Sequence, residues 1–352
     1  MSTSTDSAST TEWSPTEYQH NRAADIFYGT ICLSTFVFGF TGNILSVIYF
    51  TSKRLDVSNI VYALTSVCDA VICVFILPVG VSLLDMRSSG MLFGNTVPCT
   101  VWLYIGNLFL MLSDFLVVIL SCSRMISLSR PFYQIKLRSV LVAVGVFTVI
   151  ALAYLIVIDV HYEFVFISMT ASCVPILPHL NDEEASHRTL QIFMEVATVL
   201  FYKLPLFIVL ISCIVSSVIL GKASPNSSLD KPRRRASWTI ILFAISFIFF
   251  NAPFVIRSII EMICSARGDS WPETVDPLYY LGIYCDLIGP ALNSLANPIL
   301  YLLRFPDFTN VILRRFMPRK DRMQTTVSTT IQALTTARTG NPESSVTTRR
   351  HC

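Results

Sequence analysis

The chain has 352 residues, of which 53% are hydrophobic and only 14% charged, with a formal net charge of +3. So little charge cannot cover the surface of a soluble globular chain of this length, and that class is excluded. No nucleic-acid partner is expected, and no metal-ligand cluster, phosphate loop or nucleophile constellation in the sequence suggests an enzyme.

Residues 1–25 are polar and rich in Ser and Thr, and read as a disordered N-terminal segment. They lack the apolar core of a cleaved signal peptide, so the first apolar run is expected to serve as the insertion signal. Seven apolar runs follow, at about 26–51, 59–84, 97–127, 138–160, 190–221, 237–264 and 278–303. Each is near the roughly 20 residues that cross a bilayer as a helix, and we number them spans 1 to 7. No internal repeat of the kind found in two-fold transporters is visible.

Basic residues alternate with the spans. Lys53 and Arg54 follow span 1, Arg130, Lys136 and Arg138 follow span 3, and Lys222, Lys231 and Arg233 to Arg235 follow span 5. Arg304, Arg314, Arg315, Arg319, Lys320 and Arg322 follow span 7, whereas the opposite loops dilute Arg87, Arg188 and Arg267 with seven acidic residues. The positive-inside rule then places the N-terminus outside and the C-terminus in the cytoplasm of a plasma-membrane protein.

A charged side chain at the bilayer centre costs roughly 2.5–3.5 kcal/mol, so polar groups within spans are functional candidates. They are Asn43 in span 1, Asp69 in span 2, Asp114 and Arg124 in span 3, and Glu195 and Lys203 in span 5. Asn251, Arg257 and Glu261 lie in span 6, and Asp286, Asn293 and Asn297 in span 7. The alternative for any one of them is a helix-packing hydrogen bond worth under about 1 kcal/mol. Asn293 and Asn297 are four apart and share one helical face, and Pro298 removes a backbone donor beside them.

Several short motifs carry a resemblance. They are "TGNILSV" with Asn43, "LTSVCDA" with Asp69, Cys99 at the start of span 3, and "SRMISLSRP" with Arg124 and Pro131 at its end. Pro205 in span 5, Phe247 and Pro253 in span 6, and "NPILY" with Pro298 and Tyr301 in span 7 complete the series. In this order, over about residues 26–316, the chain resembles rhodopsin-like G-protein-coupled receptors. The resemblance implies an all-α membrane fold, a seven-transmembrane helix bundle followed by a short amphipathic surface helix over 304–317. It implies a receptor that binds an extracellular ligand and activates heterotrimeric G-proteins through movement of span 6. Pro205, Phe247, Pro253 and Pro298 would be the hinge residues, and Arg124, Pro131 and Tyr301 the coupling residues.

The same resemblance implies a buried polar switch of Asn43, Asp69, Ser113, Asn293 and Asn297, and a disulfide between Cys99 and Cys173. A carboxylate, a serine and two amides offer oxygen ligands that suit a sodium ion; a water-filled network without an ion is the alternative. No other cofactor is implied. The chain also departs from the family pattern. Ser123 and Met125 flank Arg124 where an acid and a tyrosine are usual, Asn251 stands where a tryptophan is usual, and Cys213 replaces a tyrosine. Without the acid, one partner that holds the arginine at rest is gone, and raised basal activity is expected. Basal signalling no higher than that of a Ser123→Asp variant would contradict this.

For the ligand, span 3 carries Gly106 and Asn107 where amine receptors carry an aspartate, and span 7 has no lysine for retinal. The upper cavity is expected to offer Tyr104, Asn107, Glu195, Lys203, Arg257, Tyr284 and Asp286. Mixed charge with aromatics suits a peptide, and the stretch "RLDVSNIVYALTSVCDAVICVFILP" is similar to FMRFamide-receptor-like and chemosensory-type invertebrate receptors. A neuropeptide is the main expectation, a chemosensory small molecule the alternative, and a membrane transporter the third.

On the cytoplasmic side, "RRAS" places Ser237 in a basophilic-kinase context, where a phosphate would oppose the basic cluster; a positive-inside anchor is the alternative. Residues 318–352 read as a disordered cytoplasmic tail. Its hydroxyl cluster, with Thr325, Thr326 and Ser328, is expected to recruit kinases and arrestin.

Overall fold

A peptide group in hydrocarbon must find its hydrogen-bond partner within the chain, which leaves helices as the economical way to cross. The computed structural model describes residues 22–53, 56–84, 96–130, 135–161, 163–167, 172–176, 196–197, 199–222, 230–267 and 276–316. Span 1 is a single rod in three segments, an α-helix Arg22–Ser34, a π-helix Thr35–Phe40 and an α-helix Thr41–Thr51; the joining residues keep helical dihedrals. Spans 2, 3 and 4 are the helices Val57–Leu84, Thr96–Ser129 and Leu137–His161. Span 5 consists of a π-helix Val199–Lys203 that runs into the α-helix Leu204–Lys222. Spans 6 and 7 are Asp230–Arg267 and Asp276–Arg304. The surface helix is Phe308–Phe316, shorter than the sequence suggested, because Arg304 still belongs to span 7 and a turn intervenes.

Five of these helices carry an apolar window long enough to cross a membrane among the described residues, while the apolar part of span 6 is the shorter Ile241–Ile256. The bundle turns its apolar side chains outward. Val149, Ile156, Phe249 and Leu303 are 67%, 62%, 71% and 72% exposed. A water-soluble fold would not tolerate so wide an apolar exterior; acyl chains accept it.

Neighbouring spans pack in sequence, span 7 closes back on spans 1 and 2, and span 3 touches spans 2, 4, 5 and 6. Span 3 is therefore the central post. Two glycines allow the closest approaches. A Cβ at Gly289 in span 7 would stand 2.5 Å from the Phe250 carbonyl of span 6, and one at Gly42 in span 1 would stand 2.6 Å from the Pro298 ring of span 7.

The π-helix of span 5 has a local cause. Pro205 lacks an N–H and its ring crowds the carbonyl four residues back, at Phe201, so the helix widens there. One feature was not legible in advance. Residues Glu163–Ile167 and Ser172–Ile176 form a two-stranded antiparallel hairpin that packs on span 3, with Phe166 opposite Cys173.

Candidate functional site

The bundle has a polar centre. Asp69 and Asn43 are fully buried, and Ser113, Asn297, Ser294 and Asn293 are nearly so. The Asp69 carboxylate accepts three hydrogen bonds: Ser113 Oγ donates to Oδ1 at 2.8 Å, Ser294 Oγ to Oδ1 at 3.2 Å, and Asn297 Nδ2 to Oδ2 at 2.6 Å. Asn43 Nδ2 donates to the carbonyls of Gly39 and Ser294, each at 2.9 Å. Spans 1, 2, 3 and 7 thus meet at one carboxylate and one serine.

Here the structure corrects the expected set in one respect. Asn293 makes no hydrogen bond to Asp69; the residue after it, Ser294, does. Both lie on the face of Asn297, three and four residues before it, and helix rotation decides which one reaches the carboxylate. Asn43 reaches the cluster through the Ser294 backbone and leaves its own Oδ1 buried without a donor. An orphaned carbonyl oxygen, a carboxylate and two hydroxyls form an all-oxygen donor set, which fits a hard cation such as sodium.

At the basic end of the bundle, Arg124 Nη2 donates to Ser58 Oγ at 3.4 Å, and its Nε is buried without a partner. Arg124 also lines a narrow cleft with Ser121, Ser212, Cys213, Ser216 and Ile241, between spans 3, 5 and 6. Beside it lies an aromatic seam. Tyr301, fully buried, sits 5.0 Å from Phe243 of span 6, 5.4 Å from Tyr62 of span 2 and 4.8 Å from Phe50 of span 1, centroid to centroid. The hydroxyls of Tyr301 and Ser66 are neighbours, yet neither makes a hydrogen bond at this geometry.

The surface helix is tied to this end by polar contacts. Lys53 Nζ pairs with Asp307 Oδ2, Tyr49 Oη donates to Asp307 Oδ1 at 2.9 Å, and the ammonium sits 5.0 Å from the Tyr49 ring centroid. The hydrogen bond from Lys53 holds the Asp307 carboxyl below its ordinary range, helped by Tyr49 and opposed by partial burial. A depressed carboxyl pKa contributes stability above the unfolded value of about 3.9, and loses it as pH falls through the folded value. The surface helix is therefore expected to keep its protection from pH 7 down to about pH 4 and to fray below. Asp307→Asn should show the frayed pattern at pH 7, as read by hydrogen exchange over Phe308–Phe316.

Of the hinge residues, Phe247 is buried against Val117, Leu206, Val209, Ala244 and Val255, Pro205 is buried in span 5, and Pro253 and Pro298 lie inside their helices. Asn251, at the tryptophan position, turns its Nδ2 to the Phe247 carbonyl of its own helix at 2.9 Å. Phe250 is half-buried and edges onto the exposed Phe249, whereas Phe247 lies in the core.

The expected ligand residues are described unevenly. Asn107 accepts a hydrogen bond from Tyr202 Oη at 3.2 Å, Tyr104 packs against the Met111–Phe201 cluster, and Lys203 is 8% exposed. Tyr202 was not singled out from the sequence, since a tyrosine in an apolar span carries no signal of its own. Glu195 and Pro131 lie outside the described residues, as do Thr325, Thr326 and Ser328. Arg257, Tyr284, Asp286 and Ser237 are placed by backbone only, on spans 6 and 7, and their side chains lie outside the description. The same holds for Cys99 in span 3 and Cys173 in the hairpin, although those two elements touch.

A family model described as "7 transmembrane receptor (rhodopsin family)" matches residues 42–301. No curated protein matches the chain at a significant level.

Proposed function

The chain belongs to the rhodopsin family of seven-transmembrane receptors, and from that premise we propose that it binds an extracellular neuropeptide and activates heterotrimeric G-proteins. The observation that supports this most is the junction at Asp69, where donors from spans 3 and 7 share one carboxylate. Such a junction gives the bundle two packings that differ by few hydrogen bonds, which is what a switch requires. Ligand-driven displacement of span 6 opens the Arg124 cleft, and the guanidinium then meets the G-protein. Asn43, Asp69, Ser113 and Ser294 would hold a sodium ion at the junction, where its charge would favour the resting packing. The N-terminus is outside, the Arg124 end faces the cytoplasm, and Ser237 with the hydroxyl-rich tail serves regulation by kinases and arrestin.

Asn107, Tyr202 and Lys203 support the choice of a peptide, because they offer polar groups of different kind on spans 3 and 5. A peptide library applied to membranes holding the receptor, with a promiscuous Gα and a non-hydrolysable GTP analogue as readout, tests this. A peptide hit that raises nucleotide binding supports the reading. Activation by small odorant-like molecules alone moves the ligand to the chemosensory class, and ion or solute flux without nucleotide exchange overturns the receptor mechanism.

A further inference from the structure

Arg124 has no acid beside it in sequence, and the structure shows what it has instead. Ser123 Oγ donates to the Leu120 carbonyl of its own helix at 2.8 Å, so that hydroxyl proton is turned away from the guanidinium. Asp56, the acid nearest in sequence to Ser58, accepts from the Asn59 N–H at 2.8 Å and caps the start of span 2. Among the described residues Arg124 forms no ion pair. Its hydrogen bond crosses to Ser58 in the first turn of span 2. One helical turn further on, on the same face, stands Tyr62, which is buried. The Tyr62 ring is stacked 4.9 Å from Phe50 and lies 5.9 Å from Phe243 of span 6.

We infer that Ser58 is the positioning residue that holds Arg124 at rest, with Tyr62 connecting that hold to span 6 through Phe243. Span 2 takes over the task of the missing acid. The inference rests on Arg124 being the coupling residue. A neutral hydroxyl at 3.4 Å is a weaker anchor than a carboxylate, so the hold is easily released, and the same contact sets the basal activity. When span 6 withdraws Phe243 from Tyr62, the seam loosens and the guanidinium leaves Ser58 for the cleft.

The test is a series at one position, Ser58→Ala, Ser58→Thr and Ser58→Asp, in the full chain in membranes, matched for folded receptor. Two readouts are taken without ligand: binding of a GTP analogue across a panel of purified Gα classes, and hydrogen exchange over residues 238–247 of span 6. Ser58→Ala is expected to raise basal nucleotide binding about three- to tenfold and to speed exchange in span 6. Ser58→Thr, which keeps the hydroxyl, should match the parent, and Ser58→Asp should fall below it. Flat behaviour of Ser58→Ala in both readouts overturns the hold, as does an equal effect of Ser58→Ala and Ser58→Thr. If span 6 exchange follows the series while no Gα responds, the hold stands and the G-protein reading falls. If the parent shows nucleotide exchange that Arg124→Ala removes, yet the series is flat, the reading stands and the hold falls. Should Ser58→Asp fail to fold, the alanine and threonine variants still decide.

Discussion

Replacing Arg124 by alanine is expected to abolish receptor-stimulated binding of a GTP analogue while leaving ligand affinity and the fold in place. The reason is where the side chain sits. It lies between spans 2, 3, 5 and 6, lines the cleft with Ser212 and Ser216, and keeps its Nε buried without a partner. An unmatched donor of this kind contributes little to the resting bundle, so its removal costs little stability. A hydrogen bond made by a charged group to an incoming acceptor is worth about 1.5–3 kcal/mol, which converts to roughly 10- to 100-fold in exchange rate. The variant's apparent melting temperature in detergent should stay within a few degrees of the parent. Nucleotide binding that survives in Arg124→Ala at half the parent level or more would remove this residue from coupling.

The sequence made half of this site legible and hid the other half for definable reasons. Asp69, Asn297 and Arg124 stand out because ionisable or amide groups are expensive in hydrocarbon. Ser58, Ser66 and Ser294 carry no such signal. A serine is cheap in a membrane helix, where its hydroxyl can bond the carbonyl one turn back, as Ser46 does to Gly42 at 2.8 Å. Ser113 was expected only through the family resemblance, and nothing in the chain separates Ser294, which bonds Asp69, from serines that bond only their own helix. The same limit applies to helix rotation, which chose Ser294 over Asn293. The rods were readable from apolar runs, because a span must be predominantly apolar to cross the bilayer. The π-turns were not, since one extra residue per turn leaves the hydrophobic pattern almost unchanged. The hairpin at Glu163–Ile167 and Ser172–Ile176 escaped because each strand has only five residues.

The aromatic seam shows how the two halves of the site communicate. Tyr301 stands four residues beyond Asn297, one turn further along span 7, so a rotation of that helix moves both the donor on Asp69 and the ring against Phe243. Tyr62 stands seven residues before Asp69, two turns away on the same face of span 2. The junction and the Arg124 end are thus joined by two rigid helices rather than by a chain of loose contacts. Physical coupling between the sites requires an element with two arrangements that both ends bias. Span 7, with Pro290 and Pro298 inside it, is that element in our reading.

That makes Asp69 the residue whose loss should be felt most widely. Asp69→Ala strands the Asn297 amide and the hydroxyls of Ser113 and Ser294, all three in a region closed to water. Each stranded buried donor costs about 1–3 kcal/mol. The three are neighbours and will not add, so a total loss of about 3–5 kcal/mol is expected. It should appear as a marked fall in apparent melting temperature in detergent, accompanied by loss of ligand-stimulated nucleotide exchange. Asp69→Asn provides the comparison. Its carbonyl can still accept from both serines, and only the contact with the Asn297 amide becomes donor against donor, a clash that a flip of Asn297 relieves. Stability should largely return. The sodium response should not, because the negative charge that would hold the cation is gone. Raising sodium at constant ionic strength is therefore expected to stabilise the parent and leave Asp69→Asn unmoved. Equal stabilisation of both would place any bound sodium elsewhere. An Asp69→Ala protein that melts with the parent would mean that the three donors find other partners, and that spans 3 and 7 are not joined through this carboxylate.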